Sequence, residues 1–204
     1  MPKRPIDPEA RQRWRTFLRN HRDCLAAMDF LTVPTATFRI LYVFFIIHHA
    51  RRRIAHVGVT TNPAADWICQ RLREAFPYDQ VPRYVIFDRD SKVSSEVVRT
   101  LRGMGVKPLQ TSYRSPWQNG VAERWVLSAR RDLLDHMIVF GERHLSRMLK
   151  CYTRYYHEDR CHLALEKDFP TARAVSKQPD SRARVVAPPR VGGLHHRYQC
   201  RATA

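Results

Sequence analysis

Eight consecutive apolar residues, Ile40-Leu41-Tyr42-Val43-Phe44-Phe45-Ile46-Ile47, constrain this chain more than any other stretch. The run is far shorter than the roughly 20 residues that cross a bilayer. It is rich in aromatic and β-branched side chains, which favour strands. A strand without polar alternation is covered on both faces. The fold must therefore contain a sheet with material packed against each side. With 204 residues, 44% of them hydrophobic, the chain can supply one such core with appendages.

The flanking patterns extend the sheet. A short apolar run over 25–31 stops at Thr32-Val33-Pro34, and Ile54–Thr60 alternates after a polar turn at 48–53. Three successive strands with short connections predict an antiparallel meander. Asn62-Pro63 then predicts a helix start, with Ala65, Ile68, Cys69, Leu72 and Phe76 at helical spacing before Pro77. Tyr84–Phe87 reads as a fourth strand, 94–103 as a helix closed by Gly103, and 106–109 as a fifth strand. Ser115, Pro116 and Gln118 have the pattern of a capping box, opening a helix to about residue 140. A last helix covers 142–156. The expected fold is α/β: a five-stranded mixed sheet, three strands antiparallel and the later ones parallel, flanked by helices. Residues 1–22 read as a basic helical extension with Trp14, Phe17 and Leu18 at helical spacing but little core. Residues 23–168 form the main domain, and 169–204 a basic, Pro/Arg-rich tail, extended or disordered.

Lys and Arg number 36 against 19 Asp and Glu, a formal net charge of +17. Cations spread along the whole chain favour a nucleic-acid partner over solubility alone. No amphipathic basic helix dominates, which argues against a membrane surface. Five widely spaced cysteines without a CxxC pair form neither a disulfide framework nor a zinc ribbon, so a reducing, cytoplasmic compartment is expected. Met1-Pro2-Lys3-Arg4 has no apolar run behind it, so no signal peptide is expected. His48-His49 and His195-His196 lack partners at zinc spacing and read as turn and tail residues.

Against this basic background three acids stand out. Asp29 interrupts an apolar strand, where a carboxylate is costly unless paired or metal-bound. Asp88 directly ends the fourth strand, and ligand sites in α/β sheets gather at strand ends. Glu123 falls about two turns into the helix opened at Ser115. If strands one and four are neighbours, Asp29 and Asp88 share one spot that a crossing helix can bring Glu123 to. Asp90 is a rival, expected instead to help cap the following helix. Oxygen ligands without Cys or His point to a hard cation, Mg²⁺ or Mn²⁺. Two such ions about 3.5–4 Å apart can activate a nucleophile and stabilise the leaving oxygen of a phosphodiester.

Met28-Asp29-Phe30, Phe87-Asp88-Arg89-Asp90-Ser91 and Ser115-Pro116-Trp117-Gln118-Asn119-Gly120-Val121-Ala122-Glu123-Arg124 together resemble the integrase catalytic core of DDE transposases and integrases. The resemblance is nearest to bacterial insertion-sequence transposases and covers about residues 20–168. The second and third acids lie 35 positions apart (123 minus 88), within that family's spacing. The resemblance implies an RNase H-like fold, with Asp29, Asp88 and Glu123 as the catalytic and metal-binding triad for two Mg²⁺ or Mn²⁺ ions. It further implies water-driven cleavage of transposon ends, then attack of the freed 3′-hydroxyl on target DNA. A homo-oligomer associated with the nucleoid is the expected setting.

For DNA contact the expected residues are Lys92, Arg114, Gln118, Asn119 and Arg124. Gln118 and Asn119 sit at a helix start, which favours phosphate; Arg114 and Arg124 flank the acids. Arg51-Arg52-Arg53 reads as a charged hairpin turn able to touch DNA nonspecifically but distant in pattern from the acids. Many relatives carry a Gly soon after the second acid, where this chain has Arg89-Asp90-Ser91. They also place a helix-turn-helix region before the core, which is not expected here. Two alternatives follow: a catalytically idle DNA-binding remnant, and a nuclease of RNase H type.

Overall fold

A computed structural model describes residues 7–77, 80–113, 115–172 and 184–201. Strands Leu25–Pro34 (β1), Ile40–His48 (β2) and Ile54–Thr60 (β3) form the antiparallel meander. Tyr84–Phe87 (β4) pairs parallel with β1, and Lys107–Gln110 (β5) parallel with β4. The sheet order is β3-β2-β1-β4-β5. The uninterrupted apolar run is β2, buried across Val43–Ile47 as its composition requires.

Because side chains alternate across a strand, the two faces build separate cores. Ala26, Met28, Phe44, Ile46, Val85 and Phe87 pack against Ala65–Ala75 (α2) and Ser95–Gly103 (α3). Leu25, Ala27, Leu31, Phe45 and Ile86 face Gly120–Asp132 (α4) and Glu142–Glu158 (α5). Trp125 of α4 lies 4.1 Å, centroid to centroid, from Phe45 and is the largest buried side chain of this layer. His157 of α5 accepts the Ile54 N–H at 2.8 Å through Nε2. Burial holds that imidazole down to about 4, hence neutral and able to accept.

Several boundaries differ from expectation. Ala64, not Asn62, occupies the N-cap of α2. The helix expected to run from Ser115 to about residue 140 is a 3₁₀ turn at Pro116–Asn119, then α4, then a second 3₁₀ turn at Leu134–His136. Ser115 makes no side-chain cap, and the Gln118 side chain accepts from the Ser112 N–H instead of closing a capping box. Beyond the second turn Val139 is buried and its carbonyl accepts the Ala36 N–H at 2.7 Å, which recruits that backbone to the β1–β2 connection and ends the helix early.

The two termini depart further. Pro8–Asn20 (α1) is capped by Asp7, whose Oδ1 accepts the Glu9 N–H. Its Trp14, Phe17 and Leu18 pack onto the α4/α5 layer, so the extension contributes to the core. In the tail, Arg184–Val186 (β6) pairs with Gln199–Arg201 (β9), and Pro189–Arg190 (β7) with His195–His196 (β8). Of the tail expected to be extended or disordered, these residues are extended and paired; 173–183 and 202–204 lie outside the described residues. The anchors are tertiary: Val191 is buried, His195 stacks on Tyr155 at 4.2 Å, and Arg190 pairs with Asp159 at 2.7 Å. Strands of two or three residues carry no readable periodicity.

Candidate active site

The β1–β4 register places the first two acids. Ala27 pairs with Ile86 in parallel. Two residues beyond these stand Asp29, within β1, and Asp88, just past the end of β4; alternation sets them on the face of Ala27 and Ile86, toward α4. Glu123 lies in the first turn of α4, nearer its start than expected. The condition set by the sequence, adjacency of strands one and four, is met.

Electrostatics ties the three together. Asp29 is pushed up to about 7, chiefly by burial; the Phe30 N–H, donating to its Oδ1 at 2.7 Å, opposes this, while the charges of Asp88, Asp90 and Glu123 add to it. Asp88 is also raised by burial. The Thr111 hydroxyl, donating to Oδ1 at 2.9 Å, and the Asn119 side chain pull it back, and Asp90 pushes it up again. Glu123 is raised by burial first and then by Asp88. For each acid burial is the first cause, and the charge of a neighbouring carboxylate adds to it.

Among the described residues no Lys or Arg forms an ion pair with any of the three. A carboxylate-only donor set with unmet negative charge suits a hard divalent cation. As the side chains stand, no three His, Cys, Asp or Glu among the described residues group tightly enough to hold a metal ion. Asp29, Asp88 and Glu123 are the residues whose chemistry fits one.

The supporting residues fall into two sets. Asn119, at the N-cap position of α4, is fully buried; its Nδ2 donates to the Met28 carbonyl at 3.4 Å, and its Oδ1 has no partner among the described residues. The Gln118 carbonyl accepts the Trp14 indole N–H at 3.1 Å. Lys92 grips both Asp90 oxygens, at 2.7 and 2.9 Å, and lies over the rings of Phe30 and Tyr42. Asp90 does not cap α3, whose N-cap is Ser94; it takes the Lys92 N–H at 3.0 Å instead. Arg124 is exposed, one residue past Glu123. Arg114 lies outside the described residues.

Thr111 and Trp14 were not legible as site residues. Thr111 follows β5 and reaches Asp88 across the sheet's C-terminal edge; Trp14 meets Gln118 from 104 positions away. The only available signal for Thr111 was its place at the end of a strand parallel to β4.

Residues 104–170 match the integrase core domain family. Comparison of the sequence with curated proteins finds no match. Among solved structures, a chain of the simian T-cell lymphotropic virus intasome in complex with PP2A regulatory subunit B56 gamma aligns over 88% of this chain and 67% of its own, at 10% identity and a TM-score of 0.59. The catalytic domain of Mos1 mariner transposase aligns over 76% of this chain and 85% of its own, at 10% identity and a TM-score of 0.58. The HTLV-2 integrase catalytic core domain, solved as a dimer with magnesium, aligns over 74% and 95%, at 8% identity and a TM-score of 0.53. At such identities the likeness speaks for the fold. The chain thus carries an integrase core domain match over residues 104–170, on the RNase H-like fold of integrase and transposase catalytic domains.

Proposed function

We propose that this chain is a polynucleotidyl transferase of the DDE class, cutting DNA at a transposon end and joining the freed 3′-hydroxyl to target DNA. One observation supports the reading: β1 and β4 are parallel neighbours with Ala27 opposite Ile86, two residues before Asp29 and Asp88, and Glu123 stands in the first turn of α4, which packs on that face. Asp29, Asp88 and Glu123 would hold two Mg²⁺ or Mn²⁺ ions. Bound there, the ions supply charge neutralisation at the scissile phosphate and make a water or 3′-hydroxyl nucleophilic near neutral pH.

The chain's own residues prepare the acids. Phe30 N–H fixes one Asp29 oxygen, and the Thr111 hydroxyl orients Asp88 while favouring its ionised form. The Trp14 bond holds the carbonyl of Gln118, and with it the 3₁₀ turn from which α4 presents Glu123. Lys92, Gln118, Asn119, Arg114 and Arg124 are proposed for the DNA side. Asn119 would act from beneath, through Asp88 and the Met28 carbonyl, given its burial. Oligomerisation is proposed as well, in keeping with the intasome and dimeric forms of the similar structures.

The test is strand transfer of a precut DNA end into plasmid by the purified chain with Mn²⁺. Product that vanishes in Glu123→Gln supports the reading. DNA binding without any metal-dependent product sinks it in favour of an idle remnant, and cleavage confined to RNA–DNA hybrids favours a nuclease.

A further inference from the structure

A groove of about 770 Å³ runs from Glu123 along α4. Its walls include Trp117, Arg124 and, from outside the helix, Arg52, Tyr156 and Arg160. Arg160 is occupied: its Nε donates to Asp132 at 2.7 Å. Arg52 and Arg124 are not. Neither guanidinium makes an ion pair or hydrogen bond among the described residues. Arg52 is nevertheless half-buried, and burial destabilises its charge; Tyr156 offsets this in part, and the neighbouring cations Arg22 and Arg124 add to it.

The backbone at Arg52 is a second, independent sign. Its φ of 59° lies in the left-handed region at the β2–β3 turn. Gly or Asn adopts that conformation readily, whereas other residues pay for it. Two unfavourable features meet at one side chain: a strained turn position and a partly desolvated guanidinium with no anion. An anion bound in the groove would compensate the desolvated charge, and the turn geometry is what holds the side chain there.

We propose that Arg52 and Arg124 form a seat for a DNA backbone phosphate in the groove that leads away from Glu123. The seat takes a phosphodiester, and assigning that phosphodiester to DNA rests on the function proposed above. It brings the β2–β3 turn, far from the acids in sequence, into the substrate track. A bidentate guanidinium contact there fixes the duplex relative to Glu123 without reading bases.

The test measures binding of the full chain to duplex DNA by fluorescence anisotropy, without divalent metal, across a salt series. Arg52→Gly is expected to weaken binding uniformly across sequences and to lower the slope of log K against log salt by about one unit. Its thermal midpoint should equal or exceed that of the wild type, because glycine relieves the turn. Arg52→Lys should keep most of the slope, and Arg73→Gln, exposed on α2 across the sheet, should keep all of it. An unchanged slope in Arg52→Gly overturns the proposal, as does equal loss in Arg52→Lys and Arg52→Gly. A wild type without strand transfer but with the Arg52-dependent slope refutes the catalytic reading and leaves the seat standing. Strand transfer with no Arg52-dependent slope refutes the seat alone.

Discussion

Replacing Asp29 by Asn should stabilise the metal-free protein while abolishing activity, and the gain should grow with pH. Asp29 rises from an ordinary value of 3.8 to about 7 in the fold. A carboxylate whose folded pKa exceeds its unfolded one keeps its proton longer in the native state. Between those values the native chain binds more protons than the unfolded one, so stability falls as pH rises from about 4 to about 7 and levels off above. At about 1.4 kcal/mol per pH unit, the penalty is about 1.7 kcal/mol at pH 5 and about 4 kcal/mol at pH 8. The stability difference between Asp29→Asn and wild type should therefore widen by about 2.5 kcal/mol from pH 5 to pH 8. A constant offset from the amide's own hydrogen bonding does not alter that widening. Relief of Asp88 and Glu123, which share the repulsion, adds in the same direction.

The comparison must be differential. His49, His157 and His162 are held neutral, at about 3, 4 and 4, and give the whole chain an opposite trend: stability lost as pH falls below their unfolded values. Urea denaturation of both proteins in chelator, at unit steps from pH 5 to pH 8, isolates Asp29. Parallel stability curves, or a gap that narrows with pH, would refute the account of a desolvated acid among like charges. Adding Mg²⁺ at pH 8 should stabilise the wild type and leave Asp29→Asn unmoved.

Thr111→Val removes the donor to Asp88 Oδ1 and should destabilise by about 1 kcal/mol; it should also move the acidic limb of the pH–rate profile upward, since Asp88 loses a group that favours its ionised form. Trp14→Phe keeps an aromatic ring beside Phe17 but loses the bond to the Gln118 carbonyl, so kcat for strand transfer should fall with KM for DNA little changed. Tyr152→Phe, cutting the hydroxyl bond to Asp132 at 3.0 Å, should lower stability by about 1 kcal/mol on denaturant melts and leave kcat unaltered.

What the sequence disclosed and what it hid divide along one physical line. Local signals were readable. Uninterrupted apolarity identified β2, alternation identified β3, and the serines at 94–95 marked the start of α3, whose C-cap is Met104, one residue past Gly103. Asp29 was conspicuous because a carboxylate does not belong in a buried strand, and its desolvation in the fold is the same fact seen in three dimensions. Where Ser115, Pro116 and Gln118 satisfied a local capping pattern, tertiary demand prevailed: Trp14 took the Gln118 carbonyl and Ser112 took its side chain, leaving a 3₁₀ turn ahead of α4. The pairing within the tail carries no local signal because its anchors, His195 on Tyr155 and Arg190 on Asp159, join residues 31 to 40 positions apart.

Arg52 shows why the division matters for function. Three consecutive arginines in a turn look like a solvated run, and spacing alone sets them apart from Asp29, Asp88 and Glu123. The fold sorts them into different employments. Arg51 is committed to Asp168 at 2.6 Å, Arg53 is exposed, and Arg52, held at positive φ, turns into the groove that Glu123 lines. An ion pair explains the first and solvent the second, and neither explains the third. A guanidinium kept half out of water, without an acid, on backbone that glycine would fit better, is an arrangement folding stability does not favour. The phosphate seat proposed above would account for it, and the opposite movements of stability and DNA affinity in Arg52→Gly make that account refutable.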